Sequence, residues 1–288
     1  MVERILLTGM LSFESGKTHV AKQLAARFHS EGLKVEYFKP ISGHNFWYRY
    51  EHSKQCIERE QLVSKDATRV REIIKPSTAA EMANPIHRLF VPMIITRPGE
   101  ILHNTLGLAG WDSIFAIQRF STPQENGITH VFLVARSLID QDNLIIRSED
   151  IRSLVGENKV IPVENMEQVQ NFENAYYETT VDSAFRRVER DSDVVIIESF
   201  NDSIWPWEGL DNVDQVYVIG PGQMFRYDPE KFRKASFLMH REPAPIRSVT
   251  LGRISDLMKP LERISLHLGT GIDKVYMDKI VVMSNKGL

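Results

Sequence analysis

The sequence predicts an α/β fold built on a parallel sheet, and three observations point to it. Residues 4–8 are a strand-like apolar run, and residues 17–30 place Val20, Leu24, Ala25 and Phe28 at helical spacing. Residues 33–39 (LKVEYFK) follow the Glu31-Gly32 stop as a second strand, ended by Pro40. Strand, loop, helix and strand in succession make the opening unit of a parallel sheet. Much later, a long helical stretch at 166–188 is followed by two further strand runs, 193–199 (DVVIIES) and 215–220 (QVYVIG), which restore the same rhythm.

Between these segments the pattern changes. Residues 61–74 read as helix, whereas 75–99 are broken by Pro76, Pro85, Pro92 and Pro98 and read as extended surface chain. Residues 113–120 and 130–136 pair as strands across the turn-rich STPQENGI, and 159–163 form another short strand. Residues of about 99–165 are therefore expected as an elaboration on one domain spanning 1–288. The tail opens with a helix through Met239, with Asp228 as N-cap and Pro229 as first helical residue. A second helix near 254–258 and a last strand at 274–283 are expected after it. There is no internal repeat and no low-complexity segment.

Of the 288 residues, 42% are hydrophobic and 25% charged, the composition of an ordinary globular protein. A net charge of -3 supplies no general attraction to nucleic acid or anionic lipid. The single cysteine, Cys56, cannot form an internal disulfide, and no Cys/His cluster has zinc-ligand spacing. The longest apolar runs are too short to span a bilayer, and the amino terminus leads directly into a strand-like run, not a signal peptide. A cytoplasmic protein with no membrane or nucleic-acid partner is expected.

The chemistry gathers first at Leu6 to Thr18, LLTGMLSFESGKT. A phosphate-binding loop needs backbone N–H groups and a helix N-terminus aimed at one anion, a lysine, and a hydroxyl for the magnesium shell. Gly16, Lys17 and Thr18 supply these in order, between a strand and a helix. The common G-x-x-x-x-G-K-[ST] pattern would place glycine at position 11, where the chain has Leu11. The first glycine is instead Gly9, so the loop is larger than standard. Glu198 follows four apolar strand residues and so lies at the carboxyl edge of the sheet, where α/β ligand sites form.

The long loop resembles that of dethiobiotin synthetase and its relatives in the P-loop class that includes the cobyrinic acid amide synthases and the MinD and nitrogenase iron proteins. The resemblance continues in order through Tyr37-Phe38-Lys39-Pro40-Ile41-Ser42-Gly43, Ser64-Lys65-Asp66-Ala67, Ala83-Asn84-Pro85-Ile86 and Asp193 to Glu198. It implies a three-layer P-loop NTPase fold with a mainly parallel sheet, ATP and Mg²⁺ as cofactors, and a homodimer. By the same resemblance, Gly9, Glu14, Ser15, Gly16, Lys17, Thr18 and His19 are the candidate nucleotide-binding residues. Lys17, Lys39 and Glu198 are the candidate catalytic residues, and Thr18, Asp66 and Glu198 the metal set. One hydroxyl and two carboxylates suit Mg²⁺, which takes a few hard oxygen ligands beside water and phosphate oxygens.

The chain also departs from that family. Where the synthetase has a glycine-rich stretch after its strand-end glutamate, this chain has Ser199-Phe200-Asn201-Asp202 and then Trp205-Pro206-Trp207. The family's Pro-His gives way to Phe90-Val91-Pro92-Met93, and no adenine-binding asparagine follows Gly220. These differences imply an ATPase or phosphotransferase with an altered substrate pocket and an unknown small-molecule acceptor. A second reading comes from the resemblance of the opening to the synthetase-like amino-terminal domain of some phosphotransacetylases: a nucleotide-controlled switch with slow or no turnover. The run His44-Asn45-Phe46-Trp47-Tyr48-Arg49-Tyr50 could stack on a base or ring substrate, or equally be a packed loop or dimer contact; Gln223 and Arg226 sit where relatives build part of the base pocket, and a plain surface turn explains them equally well.

Overall fold

The computed structural model describes residues 2–97, 106, 112–135, 144–267, 269 and 271–285. The chain is α/β and divides into two compact units, one of residues 1–40, 66–83 and 184–288, the other of residues 41–65 and 84–183. Each unit holds one sheet, and both sheets are mixed.

The first unit is built around β1 (Glu3–Gly9), which pairs in parallel with β8 (Val194–Glu198) on one side and β9 (Gln215–Gly220) on the other. Outside β8 lies β2 (Val35–Phe38), again parallel. Beyond β9 the direction reverses through β10 (Gln223–Tyr227), β11 (Glu262–His267) and β12 (Gly271–Ile272). Only Pro221 and Gly222 separate β9 from β10, too few residues for a parallel crossover. Gly222 has a φ of 70°, which suits the glycine position of a tight turn. The parallel pattern expected from the sequence thus holds for β2, β8, β1 and β9, and gives way to hairpins beyond them.

The helix α1 (Lys17–Ser30) packs its predicted stripe of Val20, Leu24, Ala25 and Phe28 into the core, each fully buried, beside Ile5, Leu7, Tyr37 and Ile196. Helix α3 (Lys65–Ile74) adds Ala67 and Val70 to the same cluster. The helix read at 61–74 starts only at Lys65. After the short α4 (Ala80–Ala83), which ends the first unit's middle segment, comes β4 (Ile86–Val91). Its alternating burial corrects the expectation of surface chain at 75–99: Pro85 and Pro92 bracket a strand without interrupting it.

In the second unit β4 lies between β3 (Ile41–Asn45) and β5 (Ile114–Gln124), and β5 pairs with β6 (Gly127–Val134), which pairs with β7 (Lys159–Pro162). The expected hairpin is present, but the strands run on through the STPQ segment and close at Glu125 and Asn126. Arg136 and parts of the 99–165 elaboration lie outside the described residues. Helix α2 (Tyr50–Glu58), helix α5 (Ser148–Val155) and the long α6 (Met166–Glu189) complete this unit, and α6 from Ala184 onward belongs to the first. On α6, Glu173 accepts from both Gln118 and Arg88.

In the tail, α7 (Pro229–Met239) begins as read from the sequence, with Asp228 Oδ1 accepting from Lys231 N at 2.9 Å. Helix α8 (Leu251–Ile254) is shorter and earlier than expected. The strand expected at 274–283 is instead the helix α9 (Lys274–Asn285), whose Met277, Ile280 and Val281 join the core. Those three recur at helical spacing, which places them on one face of the helix. Among the described residues, no helix is long and apolar enough to cross a membrane.

Candidate functional site

Parallel pairing sets the site. Leu7 of β1 lies opposite Glu198 of β8, and Phe38 of β2 lies opposite Ile197, so Lys39 emerges beside Glu198 at the carboxyl ends of the strands. Lys39 Nζ donates to Glu198 Oε1 at 2.8 Å and to Asp66 Oδ2, on the first turn of α3, at 2.6 Å. Thr18 Oγ1, on the first turn of α1, donates to the same Glu198 Oε1 at 3.0 Å. Glu198 is 1% exposed, and its second oxygen accepts from the buried Tyr37 hydroxyl at 2.8 Å. Burial by itself lowers the Lys39 pKa, but Glu198 and then Asp66 outweigh it and hold the ammonium more firmly charged than usual. The Tyr37 hydroxyl is pushed up by burial, and the Glu198 carboxylate beside it adds to the shift, so it stays a donor.

The loop between β1 and α1 is tightly packed where it leaves the sheet. Gly9 is buried, and a Cβ there would lie 2.7 Å from Ser15 Oγ, 2.8 Å from Lys17 Nζ and 2.9 Å from the Asn201 carbonyl. Ser15 ties the loop to itself, donating to Leu11 O at 2.8 Å and accepting from Leu11 N at 3.2 Å. Glu14 and Gly16 both have positive φ, 52° and 91°. For Glu14 that conformation costs about 1–3 kcal/mol, the kind of strain that clusters at ligand sites. Gly16 caps α1 with no side-chain hydrogen bond, and no acidic residue lies in the first turn. The helix thus brings no carboxylate of its own to its N-terminus, and the Glu198 carboxylate reaches its first turn through Thr18.

Lys17 is buried, and its Nζ donates to the Asn201 carbonyl at 2.5 Å. Burial lowers its pKa most, Glu198 opposes that, and the neighbouring Lys39 lowers it further. Asn201 itself has a positive φ of 50°. Two hydroxyls one step beyond the paired Leu7 and Glu198, those of Thr8 and Ser199, are fully buried and have no hydrogen-bond partner among the described residues.

Of the residues singled out in the sequence, Gly9, Ser15, Gly16, Lys17, Thr18, Lys39, Asp66 and Glu198 thus come from four separate segments to one end of one sheet. Glu14 and His19 are exposed, and the His19 ring pairs with Gln23 at 3.2 Å outside the network. Among the described residues, no three or more His, Cys, Asp and Glu side chains could hold a metal by themselves. Arg226 is accounted for by an ion pair with Glu262 at 3.4 Å, and Gln223 stands opposite Gly220 in the β9–β10 hairpin. In the aromatic run, Trp47 and Tyr48 are 64% exposed, while His44 is buried against His87 and Ser53.

Sequence reasoning missed the roles of Tyr37 and Asn201. Tyr37 lies two residues before Lys39, so strand alternation puts both on one face, and that spacing was the available signal. Asn201 acts through its backbone carbonyl, which no side-chain pattern betrays. The Trp205 and Trp207 rings are fully buried, Trp207 against Phe38 and Phe185, so the segment after Glu198 is anchored in the core. Compared with known proteins, the chain matches no family model, no curated protein and no solved structure.

Proposed function

We propose that the first unit binds a magnesium nucleotide, ATP, and cleaves its terminal phosphate bond or moves that phosphoryl group to a small-molecule acceptor. The observation that carries this reading is the convergence of Thr18, Lys39, Asp66 and Glu198 in one hydrogen-bonded cluster beside an uncapped helix N-terminus and the buried Lys17. In this reading the four parallel strands are the centre of a three-layer P-loop fold of the dethiobiotin synthetase type. The hairpins beyond β9 are additions to it.

The residues fit the ion. Thr18, Asp66 and Glu198 offer one hydroxyl and two carboxylates, all hard oxygens and all linked through Glu198 and Lys39, and Mg²⁺ takes such donors with phosphate and water completing the shell. Bound there, the ion would screen the phosphate oxygens. Backbone amides around Gly16 would hold the phosphates, and Lys17 and Lys39 would offset charge developing on the transferred group. Lys39 now serves the two carboxylates, and it would turn to phosphate as they turn to the metal.

The switch reading has its own support. Lys17 must leave the Asn201 carbonyl to reach a phosphate, so nucleotide entry would free the 199–202 segment that Lys17 now fastens. Binding and hydrolysis of ATP and GTP, measured with magnesium on wild type and Lys17→Ala, test the reading. We expect Lys17→Ala to abolish tight binding, and unchanged affinity would discard the site. Turnover that rises with one added acceptor marks an enzyme; tight binding with slow turnover whatever is added marks a switch.

A further inference from the structure

After Glu198 the chain leaves β8 and turns at once. Ser203 N donates to Phe200 O at 3.1 Å, so residues 200–203 form a tight turn with Asn201 and Asp202 at its corner. Both stems of the turn are tied: Ser199 N donates to Leu7 O at 2.9 Å, and Ile204 N donates to Val249 O at 3.1 Å. The corner itself is fastened by the bond from Lys17 to the Asn201 carbonyl.

That bond fixes where Asp202 stands. In a planar trans peptide the carbonyl oxygen lies about 2.8 Å from the next Cα. Lys17 Nζ is 2.5 Å from the Asn201 oxygen, so the Asp202 Cα is within about 5.3 Å of Lys17 Nζ. Burial lowers the Lys17 pKa most, and Asp202 is among the carboxylates that oppose it. Its neighbours differ from it in one respect. Asp66 and Glu198 are both taken up by Lys39, and Glu198 by Thr18 and Tyr37 as well. Asp202 is half-buried and makes no hydrogen bond or ion pair among the described residues.

A carboxylate in that place repels the phosphates that Lys17 would bind, and it repels an anionic acceptor in the same way. It suits a neutral acceptor that must lose a proton. Phosphoryl transfer to a hydroxyl releases one, whereas transfer to a carboxylate does not.

We propose that Asp202 is the general base of the first unit and that the acceptor is a hydroxyl, an alcohol's or water's. This inference rests on the nucleotide reading. As the hydroxyl oxygen bonds to the terminal phosphorus, the bond from that phosphorus to the bridging oxygen breaks, and its electron pair leaves with the nucleoside diphosphate. The hydroxyl proton passes to an Asp202 carboxylate oxygen. Lys17 gates the step: when it leaves the Asn201 carbonyl for phosphate, the corner is free to bring Asp202 to the acceptor while both stems stay tied.

Release of ADP from ATP and Mg²⁺ by the full chain, measured beside affinity for a non-hydrolysable ATP analogue, tests the proposal. We expect Asp202→Asn to lower turnover by roughly a hundredfold or more. Affinity for the analogue should be unchanged or raised, because a charge that opposes phosphate has gone. Formate should restore part of the turnover of Asp202→Ala by supplying the missing carboxylate. Full turnover in Asp202→Asn, affinity lost in step with turnover, or an Asp202→Ala protein indifferent to formate would each overturn the base; the second result would make Asp202 a prop for Lys17. Phosphorus NMR of the products separates the two hydroxyl sources: orthophosphate alone marks water, and a phosphate ester formed in added glycerol marks an alcohol. Acyl phosphate formed from added acetate would overturn the hydroxyl class. Wild type that binds the analogue and cleaves no ATP would remove the base and leave nucleotide binding standing, whereas wild type that binds no analogue would remove both.

Discussion

Gly9→Ala sets two effects of opposite sign against each other. The φ of Gly9 is not in the left-handed region, so alanine meets no backbone strain and gains about 0.4–1 kcal/mol by narrowing the unfolded ensemble. Against this, the new methyl would lie under 3.0 Å from three atoms at once. The Lys17 end could swing aside, but only by giving up its bond to the Asn201 carbonyl, and that carbonyl is main chain. Overpacking of this kind costs about 1–3 kcal/mol, and a lost charged hydrogen bond about 1.5–3 kcal/mol. The net expectation is a loss of about 1.5–5.6 kcal/mol, read from urea denaturation midpoints at constant slope. Gly252, on α8 with open space where a Cβ would go, is the internal comparison, and Gly252→Ala should stabilise by about 0.5–1 kcal/mol. If Gly9→Ala is as stable as wild type and binds ATP as well, Gly9, Lys17 and Asn201 are not packed as described and the closed loop is refuted.

Glu198→Gln should reduce magnesium-dependent turnover by at least about tenfold more than it reduces ATP affinity, and equal losses in both would sink the metal role. Tyr37→Phe leaves a buried Glu198 oxygen without its donor and should cost about 1.5–3 kcal/mol of stability; a change too small to measure in urea titration would show that the bond contributes nothing. Burial, above all, raises the Glu36 carboxyl above its ordinary value of 4.5. Between that value and the raised one the folded chain holds more proton than the unfolded chain, so stability falls as pH rises across the window. Glu36→Gln should flatten this slope, and an unaltered slope would assign it to another group.

The strands nearest the loop between β1 and α1 were legible because they are apolar runs bounded by glycine, proline or charge, as in residues 4–8 and 215–220. Helix α1 was legible to the residue, since Gly16 and the Glu31-Gly32 pair mark both its ends. What escaped was set by partners distant in sequence. Strand β4 reads as a proline-rich linker until β3 and β5 are placed on either side of it. Helix α9 reads as a strand because Ile280 to Val282 is β-branched, and only core packing of Met277, Ile280 and Val281 decides the matter. In the cluster, charged and glycine positions announced themselves, whereas the Asn201 carbonyl depends on three-dimensional placement alone.

The pairing of β1 also governs the order in which the protein can be made. Its partners begin only at Val194 and Gln215, whereas the strands of the second unit all lie between Ile41 and Pro162. At synthesis rates of about 5–20 residues per second, roughly 10–40 s separate the emergence of β1 from that of β9. Throughout that interval the second unit's strands can close among themselves, while the largely buried β1 of the first unit has no neighbour to pair with. The apolar segment Ile5-Leu6-Leu7 therefore stays exposed through that interval, and the loop that follows β1 can take shape only once synthesis has entered the last third of the chain.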